Sequence, residues 1–231
     1  MRSSPRGAGW VVAGGALVAE RRAEHGRWER GRRLGGDEMT YRLLSYQAGR
    51  EVRAGVLVAD TVYDATKVTG DPAYASVLGV LEDWAEAKRV LAQAAKRIAA
   101  GKSRARGVPL KRARLHAPVL YPGAIFCAGA NYRDHVEEMA RAQSRSPERD
   151  PHELGLKPWH FIKTSRVSVV GPGAKVKLPT YSQKVDWEIE LVAVIGRPAK
   201  DATVEKALDY VAGYTIGNDL SARRDAAPAP F

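Results

Sequence analysis

The run Asp186-Trp187-Glu188-Ile189-Glu190 sets three carboxylates at alternate positions and leads into Leu191-Val192-Ala193-Val194-Ile195. On a strand, side chains alternate between faces. Asp186, Glu188 and Glu190 then share one face, and Val192 and Val194 carry that face into a core. Same-face neighbours lie ~6.8 Å apart. At an effective dielectric of ~20, each adjacent carboxylate pair repels by roughly 2–3 kcal/mol. A bound cation would offset that repulsion; a solvated strand end with Lys184 alongside is the plainer reading. Asp219 closes a second strand-like run, Tyr214 to Asn218. If the two strands are neighbours, Glu188, Glu190 and Asp219 form an all-carboxylate set. All-oxygen ligation selects hard cations, Mg²⁺, Mn²⁺ or Ca²⁺, rather than zinc. Alone, an Asp after a strand reads as a turn residue or cap.

A third feature is Asn131-Tyr132-Arg133-Asp134-His135-Val136-Glu137-Glu138. His135 and Glu138 share a face if this stretch is helical. A carboxylate that orients an imidazole makes a workable general base. A surface His–Glu pair is the commoner meaning of such spacing. Here, however, it follows an apolar run and a glycine, where α/β sites tend to lie.

These residues need elements to hold them. Tyr41 to Tyr46, Val56-Leu57-Val58 and Val62-Tyr63 read as short strands, with turns at Gly49 and at Asp60-Thr61. After Pro72 the period changes. Val77, Leu81, Trp84, Leu91, Ala95 and Ile98 recur at helical spacing, and Gly101 is a C-terminal stop. Ala124 to Ala128 reads as a buried strand, Asp134 to Ala142 as a short helix, and Ser144 to Pro158 as a long polar loop. Phe161 to Lys163 and Val167 to Val170 are strand-like. Val185 to Ile195 is the strongest strand in the sequence. Asp201 or Thr203 can cap a helix through Tyr210, and Gly213 to Gly217 is the strand that reaches Asp219.

Composition excludes several classes. The 231 residues are 45% hydrophobic and 27% charged, an ordinary globular mix. No apolar run approaches the ~20 residues of a membrane span. The one cysteine, Cys127, excludes an intrachain disulfide and a cysteine-based zinc site and fits a reducing, cytoplasmic compartment. The net charge of +11 comes almost wholly from Lys88 to Arg114, with ten Lys or Arg and no Asp or Glu. Much of that run sits on or beyond the last turn of the expected helix, where the dipole favours cations. It lacks interleaved aromatics and any docking motif, so neither nucleic acid nor membrane is an expected partner.

Three blocks taken in order are more specific. They are Cys127-Ala-Gly-Ala-Asn-Tyr-Arg-Asp-His135-Val-Glu-Glu138-Met, Val185-Asp-Trp-Glu188-Ile-Glu190-Leu-Val-Ala-Val-Ile-Gly196, and Gly213-Tyr-Thr-Ile-Gly-Asn-Asp219-Leu-Ser-Ala-Arg223. Their order and approximate spacing resemble the fumarylacetoacetate hydrolase family, as does the stretch from Phe161-Ile-Lys163 to Gly171-Pro-Gly173. The resemblance implies an α+β, mainly β chain: a small N-terminal α/β module, then a catalytic domain of rolled strands, usually homodimeric. It implies Mg²⁺ or Mn²⁺ held by Glu188, Glu190 and Asp219, chelating the carboxylate and keto oxygen of a 2-oxo acid. His135 and Glu138 would activate water or move the proton. Lys163, and more weakly Tyr132 and Arg133, would bind substrate, with Ser144 to Pro158 as a lid. The implied reactions are hydrolysis of acylpyruvates or fumarylacetoacetate, decarboxylation of oxaloacetate, and isomerisation or hydration of related dienoates.

The expected divisions are 1–38, a disordered or mis-assigned extension ahead of a natural start at Met39; 39–115, the N-terminal module; and 116–231, the catalytic domain. The family's catalytic domain continues beyond the Asp219 block with a Lys-bearing segment and further strands, whereas this sequence stops at Phe231. The expectation is therefore a C-terminally truncated member. Its alternative to activity is a non-catalytic remnant that binds or dimerises.

Overall fold

The computed structural model describes residues 10–13, 17–18, 41–142, 144, 146 and 153–223. Along the chain run β1 (Trp10–Ala13), β2 (Leu17–Val18), β3 (Arg42–Ala48), β4 (Glu51–Val58), β5 (Thr61–Asp64), α1 (Ala65–Thr69), α2 (Val77–Glu82), α3 (Trp84–Ala99), β6 (Val108–Pro109) and β7 (Ile125–Ala128). They are followed by α4 (Arg133–Ala142), β8 (His160–Lys163), α5 (Ser165–Ser168), β9 (Val169–Val170), β10 (Val185–Asp186), β11 (Ile189–Ile195) and β12 (Val211–Ala222). A 3₁₀ helix, Val204–Tyr210, links β11 to β12 where an α-helix was expected. This is an α+β architecture. One compact unit comprises Met1–Tyr121 with Val169–Phe231, the other Pro122–Ser168.

In the first unit β3, β4 and β5 form an antiparallel meander. Gly49 turns β3 into β4 with φ +62°, a conformation that disfavours a side chain. Both faces of the meander are buried, which is why its apolar residues run consecutively instead of alternating. Tyr41, Leu43, Val56 and Val58 pack with Tyr74, Val77, Val80 and Leu91 of the helical layer. Leu44, Tyr46, Leu57 and Val62 pack on the other side with Leu110 and Leu115. Burying Leu91 alone contributes about 2 kcal/mol.

The single helix expected after Pro72 is broken at Asp83, whose φ −117° and ψ 36° are not helical. The Asp83 carboxylate accepts a 2.7 Å hydrogen bond from the hydroxyl of buried Tyr74 instead of capping α3. Burial, followed by this bond, pushes the Tyr74 phenol up to about 12. The Val167 to Val170 strand also divides, into a turn of helix ending at Ser168 and the two residues of β9.

The longest strand, β12, is the hub of this sheet. One of its edges carries β10 and β11; the other carries β1 and β2, and β2 leads on to β3. Six residues of the 1–38 stretch are thus paired strands, and the rest of it lies outside the described residues. This pairing joins the segment after Val169 to the N-terminal meander in one compact unit.

The second unit is built on the β7–β8 ladder, with Ile125 opposite Lys163 and Ala128 opposite His160. The buried strand expected here is half exposed: Phe126 is 68% accessible. Ala130, at φ 50°, turns the chain from β7 towards α4. Gly129 lets the Trp159 ring lie close, because a Cβ there would stand 2.1 Å from it and force that exposed ring to shift. Of the expected lid, residues 145 and 147–152 lie outside the described residues.

Candidate functional site

The strand read as continuous from Val185 to Ile195 is interrupted at Trp187 and Glu188, yet keeps one register against β12. Asp186 faces Ser221, Ile189 faces Asn218, and Glu190 faces Gly217. Between them the Asp219 N–H donates to the Glu188 carbonyl at 2.7 Å. The reciprocal ladder bond is missing because the Glu188 N–H donates to the Asn218 side-chain oxygen at 3.0 Å. Asn218 thus opens the ladder beside Glu188 while leaving no backbone donor unsatisfied.

This register fixes which side chains share a face. Asp186, Glu188 and Glu190 lie on one face with Ser221, Asp219 and Gly217. Glu188 and Asp219 are direct cross-strand neighbours, a pairing that puts Cβ atoms about 5 Å apart. Glu190 has a glycine, Gly217, across from it. Asp219 is buried, at 5% exposure, and lies inside β12 rather than just beyond its end. Glu190 is half-buried.

The charge on this face is met by Arg223. Its Nη2 donates to Asp186 Oδ2 at 2.9 Å and to Glu188 Oε1 at 2.5 Å, and its Nε donates to Asp186 Oδ2 at 3.2 Å. Its backbone is tied at both ends. The N–H donates to the Lys184 carbonyl at 2.8 Å, and the carbonyl accepts from buried Ser182 Oγ at 2.9 Å. Arg223, Asn218 and Ser182 were given no role from sequence. The even spacing of Arg223, one residue past β12, from Asp219 is the signal that would have found the first.

The donor set is all oxygen, on one face and partly buried, and it fits a hard divalent cation. The side chains are not drawn together into a cage. Among the described residues, no three His, Cys, Asp or Glu side chains converge closely enough to hold a metal ion. Glu188 is bonded to Arg223 instead.

In the second unit, α4 brings His135 and Glu138 onto one helical face, with His135 half-buried and Glu138 exposed. The Asp134 carboxylate accepts from the His135 N–H at 2.9 Å, and the Tyr132 carbonyl accepts from the Val136 N–H at 3.1 Å, which starts the helix. Glu137, not Glu138, makes an ion pair along the helix, with Arg141 at 3.9 Å. Tyr132 and Arg133 are exposed where α4 begins. Lys163 ends β8 and is buried at 8%, its Nζ 5.9 Å from the centre of the Phe161 ring. That burial sets it apart from a lysine snorkelling to solvent.

Residues 124–230 match the family model for the fumarylacetoacetate (FAA) hydrolase C-terminal domain. This part of the chain is similar to the fumarylacetoacetate hydrolase family. Among curated relatives, the fumarylacetoacetate hydrolase domain-containing protein 2 homolog of Dictyostelium discoideum is 39% identical over 118 residues, 51% of this chain and 34% of that one. Oxaloacetate tautomerase FAHD2B, mitochondrial, of Homo sapiens is 37% identical over 116 residues, 50% of this chain and 33% of that one. The matches thus span about a third of these relatives' length. Among solved structures, the family's fumarylacetoacetate hydrolase from Exiguobacterium antarcticum is 28% identical with a TM-score of 0.54, over 79% of this chain and 57% of that one. Maleylpyruvate hydrolase from Sphingobium sp. SYK-6, solved with manganese (II) ion and pyruvate, is 23% identical with a TM-score of 0.56, over 79% of this chain and 60% of that one. The last likeness is one of fold.

Proposed function

We propose that this chain carries the machinery of a divalent-metal-dependent enzyme acting on 2-oxo acids, with Mg²⁺ or Mn²⁺ at Glu188, Glu190 and Asp219. The observation that carries this reading is the β11–β12 register. It sets Glu188 directly across from a buried Asp219, with Glu190 on the same face opposite a glycine. The likeness of residues 124–230 to the fumarylacetoacetate (FAA) hydrolase C-terminal family model supports it. So do relatives named as oxaloacetate tautomerase, since oxaloacetate is a 2-oxo acid.

When bound, a divalent ion polarises the keto group and stabilises negative charge on its oxygen. The chain's own residues supply the rest. His135 takes or returns the proton at the carbon next to the carbonyl, or removes it from water, and Glu138 on the same helical face favours the imidazolium that results. Lys163, buried at the end of β8, binds a substrate carboxylate, with Tyr132 and Arg133 assisting. Keto–enol exchange and C–C cleavage share this proton movement, so the reaction class is C–C hydrolase, lyase or tautomerase. The N-terminal meander, roughly 39–115, is a supporting module in this reading, and 116–231 supplies the chemistry.

Homodimerisation belongs to the same reading. It is supported by exposed Trp187, Ile189, Leu191, Ile195 and Ile216, all on the face of the β11–β12 ladder opposite the carboxylates. Among the described residues no helix is long and apolar enough to cross a membrane, and the single Cys127 fits the cytoplasm.

The test is Mn²⁺-dependent turnover of oxaloacetate and of an acylpyruvate by the full chain and by His135→Ala. We expect a loss of about a hundredfold or more in His135→Ala, typical of removing a general base. Turnover that is independent of metal and unaffected by His135→Ala contradicts the assignment. A chain that binds Mn²⁺ without turnover is the non-catalytic remnant.

A further inference from the structure

We propose that Arg223 is a built-in counter-cation of the carboxylate face, and that a divalent ion enters by displacing it from Glu188 while Asp186 retains it. This rests on the assignment of Glu188, Glu190 and Asp219 as metal ligands. It gives a role to Asp186, which shares their face and is not among them.

Asp186 and Glu188 are same-face neighbours whose like charges repel, and the Arg223 guanidinium bridges them. The contacts are unequal. Asp186 Oδ2 accepts from both Nε and Nη2, whereas Glu188 accepts only from Nη2. Breaking the Glu188 contact therefore leaves the guanidinium still doubly bonded to Asp186. The Arg223 backbone remains fixed by the Lys184 carbonyl and Ser182 Oγ, so only the far end of the side chain needs to move.

The pair is also accessible enough to exchange. The Arg223 side chain is 42% exposed and that of Glu188 24%, and ion pairs that solvent reaches are weak. A divalent ion and a guanidinium on the same carboxylate repel each other, so occupation by one opposes occupation by the other. In this arrangement Glu188 is bonded to Arg223.

The measurement is Mn²⁺ binding to the full chain, read as loss of the free-ion electron paramagnetic resonance signal, for the wild type and for Arg223→Gln, Arg223→Lys and Glu190→Gln. Removing the competing charge should tighten Mn²⁺ binding about tenfold or more in Arg223→Gln. Arg223→Lys, which keeps the charge and loses the planar fork, should fall between it and the wild type. Circular dichroism checks that each variant folds. If Glu190→Gln weakens binding but Arg223→Gln binds no tighter than the wild type, Arg223 does not compete and only this proposal fails. If the wild type shows no saturable binding, or Glu190→Gln leaves it unchanged, the metal assignment fails and this proposal with it.

Discussion

Two carboxylate sites in the first compact unit are built on opposite plans. Asp64 ends β5, buried, and caps α1. Its Oδ1 accepts from the Thr66 N–H at 3.0 Å, the Thr66 hydroxyl at 2.6 Å and the Lys67 N–H at 3.3 Å, while Oδ2 takes the Arg53 Nε at 3.2 Å. Both oxygens are filled by donors from one short stretch and its neighbouring strand. The face of β10, β11 and β12 instead gathers Asp186, Glu188, Glu190 and Asp219, and the Arg223 guanidinium is shared between the first two. A carboxylate surrounded by its own donors stabilises a fold. Carboxylates ranged together beside an exchangeable guanidinium cost stability, and such a cost is expected where a ligand binds.

The comparison predicts unequal responses to isosteric neutralisation. Asp64→Asn removes the charge on the α1 cap and leaves Arg53 without its carboxylate. It should cost about 2–3 kcal/mol in urea denaturation. Glu188→Gln removes one of several like charges and should change stability by less than about 1 kcal/mol. Equal losses would erase the distinction.

Acid sharpens it. Burial raises the Asp64 pKa, but the Thr66 hydrogen bond, the Arg53 bond and charge, and the Lys67 N–H together hold it below the ordinary carboxylate value. A carboxyl depressed on folding contributes stability above its unfolded pKa, and that contribution is lost as pH falls through the folded one. The wild type should therefore lose stability on acidification below about pH 4, and Asp64→Asn should flatten that limb of a thermal-melting profile. The smallest effect is in pairwise coupling. A double-mutant cycle on Arg53 and Asp64 should exceed that on Arg223 and Glu188, which should be about 0.5 kcal/mol and shrink further in 0.5 M salt (about four ångströms of screening length).

Much of this contrast was legible in the sequence, and the parts that were not have physical causes. Strand alternation gave the shared face of Asp186, Glu188 and Glu190 directly, because a period of two survives even where the ladder opens. That opening depends on Asn218, thirty residues away, whose side chain takes the place of a backbone acceptor. No local pattern announces such an exchange. Asp219 lies within β12 because β10 extends the ladder to Ala222, a pairing set by tertiary contact. Helical spacing located α2 and α3 but not the break at Asp83, which is decided by the buried Tyr74 hydroxyl. The strands β1 and β2 owe their place to the edge of β12, which their own short sequences do not encode. The His135–Glu138 face followed from helical spacing alone, and α4 carries it as expected.

The central claim is that the carboxylate face of β11 and β12 holds a divalent ion. Its most direct test is a Mn²⁺ titration of the wild-type chain beside Glu188→Gln, with both confirmed folded by their urea transitions. The account predicts one saturable site per wild-type chain and its loss in Glu188→Gln. Absence of saturable binding in the wild type, or equal binding in Glu188→Gln, would contradict it.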